Sequence, residues 1–192
     1  TEMAREFYQT VFAKEEGAVA SPTAGLHFDS ALLEKMKVKG IEIAFVTLHV
    51  SYATFQPVTV EEVTQHPMLE EEFEITTDAA GQINQALQAG RRIIACGTTS
   101  VRALESAVDS TGKVRAQRAQ TRLFIYPPYP FKVVQGMITN FHLPKTTLLL
   151  MVSAFLNTNG NLAGRDKLFH VYQEAIKSQY RFYSYGDAMV IL

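Results

Sequence analysis

Three polar residues able to bind or protonate a ligand stand directly before an apolar run in the stretch 137–155. These residues are Thr139, Asn140 and His142. Pro144 disfavours helical backbone in the residue before it, so the pattern predicts a helix over 146–157 with Thr146 or Thr147 as its cap. A helix that is apolar on all sides must be buried. We therefore expect a polar crevice at its N-terminus, where backbone amides favour an anionic ligand group.

The sequence Gly97-Thr98-Thr99-Ser100 is a second candidate ligand site, because it connects a predicted buried strand to a predicted helix. Backbone amides in such connections can bind anions. Arg102 lies in the first turn of that helix, and a guanidinium binds a carboxylate through two parallel hydrogen bonds. The same residues also fit a threonine cap followed by an ordinary surface pair of Arg102 with Glu105. From the residues alone both interpretations stay open.

Three of the five histidines stand near the ends of predicted elements. His27 follows the turn Pro22–Gly25, His49 ends a predicted central strand, and His142 lies in the predicted crevice. Histidine is the usual side chain for proton transfer near neutral pH, although a lone histidine is more often structural. No close pair has the spacing of metal ligands, and Cys96 stands apart from all three, so no metal site is predicted.

Two further features are compatible with a nucleoside ligand. Asn140 and Asp187 can hydrogen-bond a ribose or a base, or they can serve as a turn and a cap. The aromatic segment Tyr180–Tyr185, which includes Arg181 and Phe182, can stack on a base or pack at the edge of the core.

The charged residues are unevenly distributed along the chain. No Lys or Arg occurs between residues 56 and 90, whereas the segment 110–122 contains Lys113, Arg115, Arg118 and Arg122 and no acidic residue. These segments are either two solvated surfaces, or the basic one contacts the phosphates of an RNA. The formal net charge of −1 at pH 7 gives the chain as a whole no nucleic-acid signature.

The elements that must position these residues alternate between helix and strand. Helices are predicted over 30–37, 78–89, 99–108, 146–157 and 165–178, and strands over 41–50, 73–76, 92–96, 123–126, 131–134 and 189–192. The run 41–50 is apolar on both faces over its middle, which is typical of a covered central strand. This alternation predicts an α/β fold with helices on both faces of a sheet.

Composition fits a single domain in the cytosol. A chain of 192 residues with 47% hydrophobic residues is long enough to bury one sizeable core. One cysteine fits a reducing compartment, and no apolar run is long enough to span a bilayer. We therefore expect a cytoplasmic protein without a membrane partner.

Five long segments carry a family resemblance, and they run in order over nearly the whole chain. They are YQTVFAKEEGAVASPTAGLHF (8–28), VTLHV (46–50), GTTSVRALES (97–106), ITNFHLPKTTLLLMVSAF (138–155) and YRFYSYGDAM (180–189). This set resembles the S-adenosylmethionine:tRNA ribosyltransferase-isomerase (QueA) family of queuosine biosynthesis. The resemblance implies a three-layer α/β/α sandwich with a mostly buried mixed sheet and without the family's small β-barrel domain. Residues 1–192 are then expected to be one α/β domain, the C-terminal part of a longer protein.

The resemblance also implies the reaction. Family members move the ribosyl moiety of S-adenosylmethionine to 7-aminomethyl-7-deazaguanine at the wobble position of tRNA, which forms epoxyqueuosine. S-adenosylmethionine is a substrate there, with no cofactor or metal, and the tRNA that carries the precursor is the partner. His27, His49 or His142 would take a proton beside the sulfonium. The substrate-binding residues implied are Thr23, Gly25, Thr54, Phe55, Glu71, Gly97, Thr98, Thr99, Arg102, Asn140 and Asp187, with Arg102 on the methionine carboxylate.

Three loops depart from the family pattern. Ser51-Tyr52-Ala53 replaces a Gly-x-Gly sequence, Leu69 replaces a histidine, and Pro128 replaces a glycine. Each glycine that is lost adds a Cβ where the backbone would approach a substrate. The alternative is therefore a non-catalytic or altered-specificity relative that binds tRNA or a nucleoside. A further alternative is that the chain is a different phosphate-binding α/β enzyme, and this hypothesis depends on the sequence 97–100 alone.

Overall fold

The computed structural model describes residues 8–14, 17–50, 57–157 and 163–192, and these contain both helices and strands. The α-helices are α1 (Ser30–Val38), α2 (Thr77–Gln88), α3 (Thr98–Ala107), α4 (Thr147–Leu156) and α5 (Ala163–Lys177). The β-strands are β1 (Thr47–Leu48), β2 (Glu71–Ile75), β3 (Ile94–Cys96), β4 (Gln117–Thr121), β5 (Gly136–Asn140) and β6 (Ala188–Ile191). The predicted α/β class is confirmed. Among these helices, none has the length and apolar character needed to cross a lipid bilayer.

Within the described ranges the strands form two three-stranded sheets. The first is antiparallel in the order β1-β2-β4, with Phe73 opposite Ala119. The second is mixed, because its central strand β5 pairs in parallel with β3 and antiparallel with β6. Helix α3 contacts strands of both sheets and therefore connects them.

Helix α3 is buried over most of its length, and two of its buried residues are ionisable. One of them, Glu105, accepts backbone N–H groups from Lys132, Val133 and Val134, each at a shortest distance of 3.0 Å. Backbone amides therefore replace water around this carboxylate, as a buried charge requires. The contact fixes the loop that leads into β5.

Two of the predicted strands, 123–126 and 131–134, are wrong, and a strand that was not predicted lies at Gln117–Thr121. The amides of 132–134 are taken by the Glu105 carboxylate, so they are not available to a neighbouring strand. Gln117–Thr121 is polar, but only alternate residues face inward, and β2 supplies its hydrogen-bonding partners.

The predicted central strand 41–50 is also wrong, because only Thr47–Leu48 is a strand and it lies at the edge of its sheet. Ile41 and Phe45 are about half exposed, at 46% and 53%. An apolar run indicates burial but does not distinguish a central strand from a loop that packs through a few side chains. One such contact is that of the Phe45 ring with Phe12, whose centroids lie 6.0 Å apart.

The cap predicted for α4 at Thr146 or Thr147 is confirmed at Thr146. Asp29 accepts the backbone N–H of Leu32 at the start of α1, and Thr146 accepts that of Leu149 at the start of α4. Helix α4 packs closely on α5 at Gly164, where an added Cβ would lie 2.2 Å from the carbonyl oxygen of Ser153. The buried apolar helix predicted from the sequence is thus held by a second helix.

Replacement of Glu105 by alanine should lower the free energy of unfolding by about 3 kcal/mol, because several buried N–H groups would lose their acceptor. Urea unfolding of the wild type and Glu105→Ala measures this. Glu74→Ala is the matched control, because Glu74 is an exposed residue of β2 and its loss should cost less than about 0.5 kcal/mol. Equal losses in the two variants would contradict the role assigned to Glu105.

Candidate active site

Strands β3 and β5 run in parallel and end side by side. Cys96 lies opposite Ile138, and the N–H of Gly97 donates to the carbonyl of Ile138 at 2.8 Å. Gly97 has a φ of +87°, a conformation that favours glycine, and it turns the chain directly into α3. The residues that follow the two strands therefore meet at one edge of the sheet, where α/β proteins commonly bind ligands.

A crevice partly open to solvent lies beyond these strand ends, with about 510 Å³ of empty space when the adjoining open solvent is included. Seven residues that the sequence singled out line it: Thr23, Gly97, Thr98, Thr99, Thr139, Asn140 and His142. Among the described residues that line the crevice, none has a charged side chain. A ligand there must be recognised by hydrogen bonds, backbone dipoles and apolar contact.

The start of α3 faces this crevice, and within the described ranges no side chain caps it. Its N-cap residue is Gly97, which has no side chain to accept a backbone N–H. By contrast, Thr146 already caps the start of α4. The partial positive charge of an uncapped helix N-terminus is therefore available to a ligand at α3.

His142 is the histidine that lies in the crevice, and it is buried. Its Nε2 is 2.8 Å from the hydroxyl of Thr139, and its backbone N–H donates to the hydroxyl of Tyr172 at 2.8 Å. Burial lowers the pKa of the imidazole from 6.5 to about 4. The ring is therefore neutral near pH 7 and has a nitrogen lone pair able to accept a proton.

A second cavity adjoins the first at the N-terminus of α4. The two share three lining residues, namely His142, Leu148 and Tyr183. Pro57 and Leu143 contribute to the walls of the second cavity alone. His142 thus stands in a wall common to two spaces, so that one side chain can reach groups in either.

Tyr183 has a φ of +71°, which is unusual for an aromatic residue. Its N–H donates to the carbonyl of Phe141 at 2.8 Å, and its own carbonyl accepts the N–H of Gly186 at 3.0 Å. The ring of the preceding Phe182 packs on Phe141 and Tyr172 in the core. The aromatic segment therefore divides its roles, since Phe182 packs inward and Tyr183 lines the crevice.

Several predicted site residues lie away from the crevice. Gly25 is buried against Thr10 and Phe12, and an added Cβ would lie 2.9 Å from Thr10. His49 is half-buried beside Gly17. The predicted residues Thr54 and Phe55, and the variant sequence Ser51-Tyr52-Ala53, lie outside the described residues.

His27 and Asp187 lie near each other, and neither lines the crevice. His27 is exposed. The hydrogen bond and charge of Arg181 hold the pKa of Asp187 below its usual value, and the charge of His27 adds to this effect. Asp187 also accepts the backbone N–H of Arg181 at 2.7 Å, so it stabilises the turn 181–187.

Arg102 and Glu71 form a buried ion pair with each other. The Nε of Arg102 also donates to the carbonyl of Leu123 at 3.1 Å. Both residues were predicted to bind substrate, but neither lines the crevice. Arg102 extends from α3 towards β2, where Glu71 neutralises its charge.

The arginines of segment 110–122 pair with nearby acidic side chains. Arg115 pairs with Asp109, while Arg118 and Arg122 pair with the acidic residues of β2 and its flank, Glu72 and Glu70. This arrangement favours the interpretation of two solvated, mutually neutralising segments over that of a dedicated phosphate-binding surface.

The sequence missed several crevice residues, among them Ser21, Leu148 and Tyr183, of which Leu148 and Tyr183 also border the second cavity. Ser21 directly precedes the turn that was singled out, and Tyr183 lies in the aromatic segment. Proximity in sequence to these motifs was the available signal, but no pattern distinguished Ser21 or Tyr183 from its neighbours.

Both the sequence and the fold of this chain are similar to those of known proteins. Residues 1–191 match the family described as queuosine biosynthesis protein. The chain is 52% identical over 188 residues to the S-adenosylmethionine:tRNA ribosyltransferase-isomerase of Desulforamulus reducens, covering 98% of the chain and 53% of that protein. It is 51% identical, with the same coverage, to the protein of that name from Desulfitobacterium hafniense. The crystal structure of S-adenosylmethionine tRNA ribosyltransferase from Thermotoga maritima, 38% identical, matches with a TM-score of 0.66 over 88% of this chain and 51% of that one. The chain therefore spans about half the length of these relatives.

The lowered pKa of His142 predicts a pH-dependent stability. Between pH values of about 4 and 6.5 the unfolded chain binds a proton at this residue and the folded chain does not. The free energy of unfolding should therefore fall by roughly 3 kcal/mol as the pH drops through that window. Urea unfolding across the window should show a smaller decrease for His142→Gln. His170→Gln, at an exposed position of α5, should keep the wild-type decrease, and identical curves for all three proteins would refute the prediction.

Proposed function

We propose that this chain, which belongs to the family of queuosine biosynthesis proteins, carries the reaction site of an S-adenosylmethionine:tRNA ribosyltransferase-isomerase. In this reaction the ribosyl moiety of S-adenosylmethionine moves to 7-aminomethyl-7-deazaguanine in tRNA, and epoxyqueuosine forms. S-adenosylmethionine is a substrate, the precursor-bearing tRNA is the partner, and the cytoplasm is the compartment. The names of the similar enzymes and the polar crevice support this proposal.

The observation that carries the proposal is the position of His142 in the wall between two adjoining cavities. The reaction joins two substrates, so it needs neighbouring spaces for a sulfonium nucleoside and for an acceptor base. The first crevice, with its helix N-terminus and neutral donors, suits the nucleoside. The second cavity, lined by Pro57, Leu143 and Tyr183, offers the apolar surface on which a flat base can pack.

His142 is the proposed proton acceptor. The reaction requires a base for a proton on the carbon beside the sulfonium, and such a base must be neutral and within reach. In the reactive tautomer the Nε2–H donates to Thr139, and Nδ1 takes the proton. Thr139 is then a positioning residue, because it fixes the ring through the 2.8 Å contact. His27 and His49 lie away from the crevice and are not assigned this role.

The experiment compares histidine variants of the full-length protein, incubated with S-adenosylmethionine and precursor-bearing tRNA, by the release of free adenine. His142→Gln should lower the rate about 100-fold or more, because a general base contributes about that much. S-adenosylmethionine affinity should change less than about threefold, since glutamine keeps a hydrogen bond to Thr139. His27→Gln and His49→Gln are the matched controls and should release adenine at nearly the wild-type rate.

Three results would separate the possibilities. Normal adenine release by His142→Gln would remove His142 from the reaction. Loss of release in His27→Gln or His49→Gln alone would transfer the role to that residue. A wild-type protein that binds the tRNA but releases no adenine would instead be the non-catalytic relative that the departures at Leu69 and Pro128 allow.

A further inference from the structure

Two buried hydrogen-bond donors line the crevice without a partner in the part of the chain that the structure describes. They are Nδ2 of Asn140 and Oγ of Ser21, in residues that are 3% and 9% exposed. A buried polar group without a partner is destabilising and is uncommon in folded proteins. Two such groups in one crevice therefore indicate a ligand that supplies acceptors.

The orientation of the Asn140 side chain makes this indication specific. The hydroxyl of Thr23 donates to Oδ1 of Asn140 at 2.8 Å, so the acceptor atom of the amide is already used. The remaining NH₂ group can only donate. Asn140 is thus fixed by Thr23 as a donor towards the ligand.

The first turn of α3 adds further donors to the same crevice. Gly97, Thr98 and Thr99 line it, and no side chain of the described residues caps the helix there. Backbone amides at a helix N-terminus, together with the dipole, favour a negative charge. The described lining residues include no carboxylate that would repel an anion and no Lys or Arg that would neutralise one.

We propose that Ser21, Asn140 and the first turn of α3 form a subsite for a carboxylate. This inference rests on the proposed function, because the carboxylate of the methionine portion is the only anionic group of S-adenosylmethionine. Arg102, which the sequence suggested for that carboxylate, does not line the crevice and pairs with Glu71 and Leu123, and only its second terminal nitrogen has no partner among the described residues. The short chain between the carboxylate and sulfur then leaves the sulfonium in the crevice that contains His142.

The test compares two ligands that differ only in this group, S-adenosylmethionine and its decarboxylated form, by calorimetric titration of the full-length protein. The wild type should bind the carboxylate ligand more tightly. Asn140→Asp replaces the donor by a negative charge, so it should weaken S-adenosylmethionine about 10- to 100-fold and the decarboxylated ligand less than about threefold.

Ser21→Ala provides a second measurement that does not depend on the tolerance of position 140. Its hydroxyl has no partner in the described chain, so its removal should not lower the free energy of unfolding. It should nevertheless weaken S-adenosylmethionine about fivefold and spare the decarboxylated ligand. Ser153→Ala, at a buried position of α4 outside the crevice, is the matched control and should change neither affinity.

The outcomes distinguish the two proposals. Equal wild-type affinity for both ligands, or an equal loss of both in the variants, would overturn the carboxylate subsite and leave the proposed function standing. A wild-type protein that binds neither ligand would overturn both. Selective loss of the carboxylate ligand in Asn140→Asp and Ser21→Ala would establish the subsite.

Discussion

The parallel pairing of β3 with β5 is the constraint on which the crevice depends. Parallel strands direct their carboxyl ends to the same edge, so the chain segments that follow them must converge. The register sets which residues meet, and Gly97 continues it by donating to Ile138 beyond the end of β3. A shift of β5 by one residue would exchange its two faces. Thr139 would then no longer face the crevice.

Buried charges hold this arrangement without entering the crevice. Glu105 fixes the loop before β5 through backbone amides, and Arg102 joins α3 to β2 through Glu71. A buried ion becomes very costly when its partner is removed, so these groups are committed to their structural contacts. The ligand site next to them is consequently built from neutral donors and a helix dipole. This separation explains how one helix can be anchored by charge on one side and offer an uncharged surface on the other.

Local chemistry in the sequence predicted the features that depend on neighbouring residues. Pro144 and Thr146 were sufficient to place the start of α4, and the strand–turn–helix at Gly97 was recognised from its residue types. Features that depend on partners distant in sequence could not be predicted. Arg102 was predicted to bind a ligand because its partner, Glu71, lies far away in sequence. The loop 131–134 was predicted to be a strand because nothing local indicated that its amides would bind Glu105.

The proposed roles of His142 and of the carboxylate subsite reinforce each other physically. A pKa of about 4 keeps the free imidazole neutral, but it also makes the imidazole a weak base. An anion bound close to an imidazole raises its pKa, because it stabilises the protonated ring. Asn140 lies two residues before His142, and both line the same crevice. The sulfonium and ammonium groups of the same ligand act in the opposite direction, and a carboxylate held at Asn140 would offset them. A decarboxylated substrate keeps both positive charges and lacks the anion, so it would leave His142 a weaker base and would react slowly even where it binds.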